Sequence, residues 1–263
     1  PKDIPMDLQL NQRKAIVTGG SAGIGLAIVE ALLAEGASVV VPGRSQAKLD
    51  QALPGNHAKV QKVVADLATA AGAAALISAV PDADILINNL GIYEAKPFAE
   101  ISDDDWLKIF EVNVLSGVRL SRHYFPRMLA NNWGRVIFVS SESGVMTPPE
   151  MVHYGVTKSS QLALSRGMAE LTKGTGVTVN AVMPGPTRSE GIVDFLKQVA
   201  TPGVSTAAAE HEFFEKHRSS SLLQRLIEGS EVASMVAYLA SPLSAATNGA
   251  ALRVEGGLLR SIA

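Results

Sequence analysis

The chain of 263 residues fits one α/β domain, since single domains of this class run to about 250 residues. Hydrophobic residues make up 47% of it and the net charge is −2, so a large core is available and nothing indicates a nucleic-acid partner. No apolar run approaches the roughly 18 residues that span a bilayer, so we expect no membrane segment. Cysteine is absent, which excludes disulfides and fits the cytoplasmic location that we expect. The five histidines form no i, i+4 pair, and we expect no metal site.

Short runs rich in valine and isoleucine recur along the chain and predict strands that are apolar on both faces. The predicted strands are Ala15–Thr18, Ser38–Val41, Val60–Ala65, Ile85–Asn88, Arg135–Ser140, Val177–Val182 and a last one near Ala251–Val254. The predicted helices are Gly25–Ala34, Ala70–Val80, Asp103–Ala130, Tyr154–Leu171 and Ser230–Leu239. This alternation predicts an α/β fold with a doubly wound parallel sheet of the Rossmann type, in a single domain over residues 1–263.

One long stretch, residues 188–226, interrupts the alternation. It contains Gly191, Pro202, Gly203 and an amphipathic segment over Ala207–Lys216. Long connections in compact domains are usually functional or disordered. We therefore predict a helical flap over a substrate site, with a plain surface excursion as the alternative.

The first predicted strand runs into a glycine-rich turn, Thr18–Gly25, and then directly into a helix. Glycines allow the backbone to turn tightly and approach a pyrophosphate, whose charge is met by N–H groups at the helix N-terminus. The strand–turn–helix setting predicts a dinucleotide site, in which we expect Gly19, Ser21 and Ile24 to contact the cofactor.

The end of the second strand reads Val41-Pro42-Gly43-Arg44-Ser45, without the acidic residue that binds the ribose hydroxyls of NAD. Arg44 can pair with a 2′-phosphate through its planar guanidinium. This favours NADP(H), with NAD(H) possible. The alternative for Arg44 is a solvated charge at the start of a helix.

Tyr154 and Lys158 are four residues apart in a predicted helix, so they share one face. A nearby ammonium favours the phenolate and is expected to lower the pKa of Tyr154, which suits the residue for acid–base work. Ser140 and Ser141 close a predicted strand at the sheet edge where ligands bind. Asn113 lies in an otherwise apolar helix, as a satisfied structural amide or as an anchor for water or Lys158.

With these residues collected, the sequence resembles the short-chain dehydrogenase/reductase family, in its compact single-domain branch. The family's TGxxxGxG motif is similar to Thr18–Gly25, and its NNAG motif to Asn88–Gly91, with Leu90 in place of alanine. Its catalytic tetrad corresponds to four residues, Asn113, Ser141, Tyr154 and Lys158. Ser141 is preferred to Ser140 because the family's serine stands thirteen positions before its tyrosine.

The resemblance implies hydride transfer between a nicotinamide cofactor and a small-molecule carbonyl compound or secondary alcohol. It implies that Tyr154 moves the proton, that Ser141 holds the substrate oxygen, and that Lys158 binds the nicotinamide ribose and lowers the pKa of Tyr154. Asn113 would support a water-linked relay to Lys158. The remaining cofactor contacts that it implies are Asp66 and Leu67 on the adenine side, Asn89, and Thr187 and Ser189 at the carboxamide end.

The resemblance also implies a homo-oligomer, a tetramer or a dimer, joined through the helices predicted over Asp103–Ala130 and Tyr154–Leu171. Ala22 stands where many NADP-dependent members carry a basic residue, so Arg44 would act alone. Three alternatives remain: an NAD(H)-dependent alcohol dehydrogenase of the same family, a nucleotide-sugar epimerase or dehydratase, and a non-catalytic dinucleotide sensor. The epimerases carry a longer C-terminal part, and the sensors typically lose the Tyr–Lys pair.

Overall fold

The strands of the described chain form one parallel sheet. The computed structural model describes residues 6–55 and 57–262. In chain order the strands are β1 (Lys14–Val17), β2 (Ser38–Gly43), β3 (Val60–Val64), β4 (Ile85–Asn88), β5 (Gly134–Val139), β6 (Val177–Pro184) and β7 (Ala251–Val254). Their spatial order is β3-β2-β1-β4-β5-β6-β7, and every neighbouring pair is parallel. The predicted doubly wound α/β fold is confirmed.

Helices cover both faces of this sheet. In chain order the helices of the described chain are α1 (Gly23–Ala34), α2 (Gln46–Ala52), α3 (Ala70–Ala79), α4 (Asp103–Phe110), α5 (Ser116–Ala130), α6 (Val152–Glu170), α7 (Glu190–Val199), α8 (Thr206–Lys216) and α9 (Gly229–Ala240). The short α2 was not predicted. Two helices, α7 and α8, occupy the segment that was predicted as a helical flap, and only α8 had a sequence pattern of its own.

The core is divided between the two faces of the sheet, because successive side chains of a strand point to opposite sides. In β1, Ala15 and Val17 pack with α1 and α9, whereas Ile16 packs with α5 on the other face. The prediction that strands are apolar on both faces holds for the central strands. It is wrong for the edge strands β3 and β7, which have a neighbour on one side only, and Val64 of β3 is 53% exposed.

The helix predicted over Asp103–Ala130 is interrupted. A π-helical turn over Glu111–Leu115 separates α4 from α5. The cause lies outside the helix: the Asn113 side chain accepts a hydrogen bond from Ile92 N at 2.8 Å and donates one to Ile92 O at 2.9 Å. Single π turns inside α-helices are frequent at functional sites. This one delivers a buried amide to the segment that follows β4.

The described residues contain neither a membrane-spanning helix nor a metal-binding cluster. None of the described helices has both the length and the apolar character needed to cross a membrane. Within the same residues, no cluster of three or more histidine, aspartate and glutamate side chains is arranged to hold a metal ion.

Two glycines in helices provide a matched pair of stability predictions. A Cβ at Gly72 in α3 would lie 2.0 Å from the carbonyl oxygen of Asp66, whereas a Cβ at Gly167 in α6 meets nothing within 4 Å. We expect Gly72→Ala to lower the free energy of unfolding by about 1–3 kcal/mol through overpacking. Gly167→Ala should raise it by about 0.5–1 kcal/mol through helix propensity. Urea unfolding of the two variants checks this, and equal or reversed shifts would contradict it.

Candidate active site

Thr18 joins the ends of β1 and β4, where the strand order reverses. Its hydroxyl donates to Ile87 O at 3.2 Å and accepts from the backbone N–H groups of Asn89 and Leu90, each at 2.9 Å. Ligands of doubly wound sheets bind beyond the carboxyl ends of the strands at this switch point. The threonine therefore fixes the floor of the candidate site.

Two glycines of the turn stand where a side chain has no room. Gly19 has a φ of +65°, and a Cβ at Gly25 would lie 2.1 Å from Gly19 O. Asn89, predicted as a cofactor contact, donates from its side-chain amide to Thr18 O at 2.9 Å and so holds this turn.

The N-terminus of α1 faces the cleft that the turn borders. Its N-cap residue, Ala22, makes no side-chain cap hydrogen bond, and the first turn carries no acidic residue. Free N–H groups at a helix N-terminus suit an anion. The residues present here fit the pyrophosphate of a dinucleotide.

A cleft of about 1190 Å³ extends from Arg44 at one end to Tyr154 and Lys158 at the other. Most of the predicted site residues line it: Gly19, Ser21, Ile24, Arg44, Asn89, Ser141, Tyr154, Lys158, Thr187 and Ser189. Thr187 donates its hydroxyl proton to Gly185 O, and the Ser189 hydroxyl caps α7 by accepting from Ile192 N.

Three predicted residues are not among those that line the cleft. Leu67 is buried in the core beside β3, and the Asp66 carboxylate accepts from Ala68 N at 3.2 Å in the turn that follows β3. Asn113 is buried behind the cleft and hydrogen-bonds to Ile92 and Thr157.

Lys158 is buried and has two hydrogen-bond acceptors. Its ammonium donates to Val139 O at 3.0 Å and to Gln161 Oε1 at 3.2 Å, and lies 5.5 Å from the centre of the Tyr154 ring. Burial lowers the pKa of Lys158 to about 8, and the carboxylate of Glu142 opposes that shift.

The pKa of Tyr154 differs from the sequence-based expectation. Burial raises it above the ordinary value, the Glu142 carboxylate adds to the rise, and a hydrogen bond with Ser141 opposes it. The ammonium of Lys158 was expected to lower this pKa. In the structure that ammonium donates to Val139 O and Gln161, so desolvation dominates.

The two adjacent serines have different surroundings. The Ser140 hydroxyl donates to Lys158 O at 2.8 Å and is thereby fixed against α6. Ser141 lines the cleft, hydrogen-bonds with Tyr154, and donates its proton to Glu142 Oε2 at 2.5 Å. Of the two hydroxyls, only that of Ser141 is shared with Tyr154.

Sequence reasoning missed Gln161, which connects Lys158 to Asn113. Gln161 accepts from Lys158 through Oε1, and its Nε2 donates to the backbone oxygen of Asn113 at 2.6 Å. A side-chain amide thus connects the Lys158 ammonium directly to the backbone of Asn113. A signal was present, because a glutamine three residues after Lys158 shares its helix face.

Two buried charges near Ser141 were also missed. Glu142 is 4% exposed and Arg218 is 5% exposed, and both line the cleft. An acid directly after the serine pair was a visible signal for Glu142. Arg218 lies beyond α8, and no local pattern indicated that it reaches the site.

The sequence of this chain is similar to those of known proteins. A family model described as short chain dehydrogenase matches residues 13–199. The chain is 47% identical to the uncharacterized oxidoreductase YvaG of Bacillus subtilis (strain 168), over 98% of this chain and 100% of that protein. Identity to the uncharacterized oxidoreductase YvrD of the same organism is 45%, with the same coverage. The chain belongs to the short-chain dehydrogenase family.

A solved structure agrees with this membership. L-sorbose reductase from Gluconobacter frateurii, in complex with NADPH and L-sorbose, superposes with a TM-score of 0.90 at 28% identity, covering 98% of this chain and 100% of that one. As a short-chain dehydrogenase, the protein is an NAD(P)-dependent oxidoreductase. The prediction of an enzyme is confirmed, and the non-catalytic sensor is not retained.

Proposed function

We propose that this short-chain dehydrogenase transfers a hydride between NADP(H) and a carbonyl compound or secondary alcohol, with Tyr154 as the proton donor and acceptor. The observation that carries the proposal is the meeting of Tyr154, Ser141 and Lys158 at one end of a dinucleotide-sized cleft. The bound nicotinamide supplies the hydride in reduction and accepts it in oxidation. The L-sorbose reductase, which is bound to a ketose and NADPH, supports a carbonyl substrate.

Tyr154 supplies the proton in reduction. An ordinary phenol is already protonated at neutral pH, and this is the form that can donate. As the carbonyl carbon receives the hydride, the Tyr154 O–H bond breaks and the proton passes to the carbonyl oxygen, leaving an alcohol and a phenolate. The positive charge of Lys158 favours that phenolate, which then regains a proton from water. Oxidation runs in reverse, and Ser141 hydrogen-bonds to the substrate oxygen in both directions.

Lys158 also binds the nicotinamide ribose in this proposal. A Cβ at Gly91 would lie 3.6 Å from the Lys158 ammonium and 3.5 Å from Asn113 Oδ1, so the glycine leaves space for a hydroxyl beside the ammonium. Asn113 and Gln161 hold the surrounding segments in place. The other proposed cofactor contacts in the cleft lining are Gly19, Ser21, Ile24, Asn89, Thr187 and Ser189. Asp66 and Leu67, which lie outside that lining, are proposed to contact the adenine side.

The substrate binds under the flap, residues 188–226. Tyr93 makes edge-on ring contacts with Tyr154 at 6.0 Å and with Phe195 of α7 at 6.3 Å, and Phe195 contacts Phe213 of α8 at 6.1 Å. This aromatic row links the Tyr154 phenol to the two flap helices. It forms a largely apolar wall for the carbonyl substrate.

Tyr154→Phe tests the proton donor. We expect kcat to fall by about 10²–10⁴-fold with any carbonyl that the parent reduces, because the general acid is lost while the ring still packs. Steady-state assays at the nicotinamide absorbance measure this, and NADPH titration should show unchanged cofactor binding. Tyr238→Phe, a partly exposed tyrosine in α9, is the matched control. A Tyr154→Phe variant within about threefold of the parent would exclude this role.

The preference for NADP(H) rests on basic residues at the far end of the cleft. Arg44 and Lys48 both line it, and within the described residues neither has an acidic partner. Lys48 supplies a second cation there, which the sequence pattern did not indicate. Packing also disfavours an acidic side chain at position 43, because a Cβ there would lie 2.8 Å from Leu49 Cδ2. The lack of an acid is therefore weak evidence for NADP(H) by itself. The proposal therefore depends on the two cations.

Arg44→Ala, Lys48→Ala and the double variant test the cofactor. We expect the parent to prefer NADPH over NADH by at least about tenfold in kcat/KM, since hydrogen bonds to charged groups contribute about 1.5–3 kcal/mol. Each single variant should reduce the preference by raising KM for NADPH, and the double variant should abolish it with little change for NADH. Lys173→Ala, an exposed lysine that is not part of the cleft lining, is the control. A parent that uses NADH better than NADPH would rule the preference out.

We also propose that the enzyme forms a homo-oligomer, a dimer or a tetramer, through α4 and α6. Leu107 and Phe110 of α4 and Val156 of α6 are 68%, 37% and 40% exposed, and the two helices are in contact. Exposed apolar patches of this kind mark interaction sites. Sedimentation should give at least twice the 27.6 kDa chain mass, and Leu107→Glu should shift it toward one chain. Sedimentation of the parent as single chains at micromolar concentration would disprove this proposal.

A further inference from the structure

Glu142 holds the single proton of the Ser141 hydroxyl. Ser141 donates to Glu142 Oε2 at 2.5 Å, and Ser143 donates to Oε1 at 3.2 Å. Among the residues that line the cleft, Glu142 is the only acid in the described chain. Since a hydroxyl has one proton, Ser141 can present only lone pairs to Tyr154 while this bond lasts.

Arg218 is the cation that faces Glu142. Its Nε lies 3.5 Å from Glu142 Oε1 and has no hydrogen-bond partner among the described residues, so the contact is an ion pair without a formed hydrogen bond. Its Nη1 lies 3.3 Å from Glu150 Oε1.

The backbone and guanidinium of Arg218 are both fixed by α8. The Arg218 backbone N–H donates to Phe213 O at 3.1 Å, and the guanidinium lies 5.3 Å from the Phe213 ring centre. The flap therefore carries the charge that compensates Glu142.

We propose that Glu142 and Arg218 are positioning residues for hydride transfer: Arg218, delivered by the flap, weakens the hold of Glu142 on the Ser141 proton and so releases that proton toward the reacting oxygen. This inference rests on the proposed function of Tyr154 and Ser141. The two residues act through Ser141, and neither is assigned a contact with the substrate.

The electrostatics of the site favour such a role. In reduction, negative charge develops on the carbonyl oxygen and then on Tyr154, close to a buried carboxylate. A carboxylate without a facing cation is a strong acceptor, so it retains the serine proton and repels the new negative charge. A carboxylate in an ion pair holds the proton less strongly and repels the charge less. Among the charged groups that act on the pKa of Tyr154, Glu142 raises it and Arg218 lowers it, in addition to the dominant effect of burial.

A double-mutant cycle tests the proposal. Arg218→Met leaves Glu142 without the cation that faces it, and we expect kcat for carbonyl reduction to fall at least about tenfold while KM changes less than about threefold. Glu142→Gln keeps an acceptor for Ser141 but removes the charge. In the Glu142→Gln background, Arg218→Met should therefore lower kcat by no more than about threefold.

Matched variants separate this effect from loss of structure. Arg127→Met makes the same substitution in an exposed ion pair with Asp82, outside the flap and the cleft lining, and should leave kcat unchanged. Arg218→Lys keeps the charge and should retain more activity than Arg218→Met. If Arg218→Met does not fold, judged by circular dichroism and NADPH binding, Arg218→Gln takes its place in the cycle.

The outcomes distinguish this inference from the proposed function. If Arg218→Met lowers kcat as much in the Glu142→Gln background as in the parent, Arg218 acts through Glu150 or the flap alone. That result overturns the inference. An unchanged kcat, or an effect on KM only, also overturns it. If Tyr154→Phe is inactive in the same assay, the proposed function survives either result. If Tyr154→Phe is as active as the parent, or the parent reduces no carbonyl, the proposed function and this inference fall together.

Discussion

The parallel pairing of β1 with β4 creates the point at which the strand order of the sheet reverses. These strands are far apart in the chain, and their connections leave toward opposite faces of the sheet, so a crevice opens beyond their carboxyl ends. Thr18 fastens the two strand ends with three hydrogen bonds through one hydroxyl. The glycine turn, the segment after β4 and the start of α1 all take their positions from this junction. The strand order therefore determines where the cleft lies, and the side chains that line it determine what it can bind.

The sheet was accessible from sequence because each strand carries its own signal. Runs of valine and isoleucine mark strands that are buried on both faces, and the predicted Ile85–Asn88 agrees with β4 at both ends. The departures have long-range causes. The edge positions of β3 and β7 follow from the strand order, and the π turn at Asn113 follows from a contact with Ile92. Neither cause can be read from a local window of sequence.

In the candidate site too, residues with a local sequence signal were predicted, and residues placed by long-range packing were not. Tyr154 and Lys158 were found because one helix turn separates them, and Ser141 because it ends a strand. Arg218 was not found, since only the packing of α8 brings it to Glu142. The direction of the Tyr154 pKa was also wrong from spacing alone. Spacing identifies a neighbour, but burial and the hydrogen bonds of Lys158 decide how that neighbour acts.

The contact between Gly43 and Leu49 has a consequence for how the enzyme can evolve. The Cβ of an acid at position 43 would lie 2.8 Å from Leu49 Cδ2, and Leu49 is fully buried. Shrinking Leu49 first would leave a cavity, at a cost of about 2–5 kcal/mol for a buried leucine-to-alanine change. Each step is unfavourable without the other, so the two positions are epistatic. For this sequence, packing opposes a single substitution to an acid at position 43, and an acidic ribose contact there is expected to need an accompanying change at Leu49.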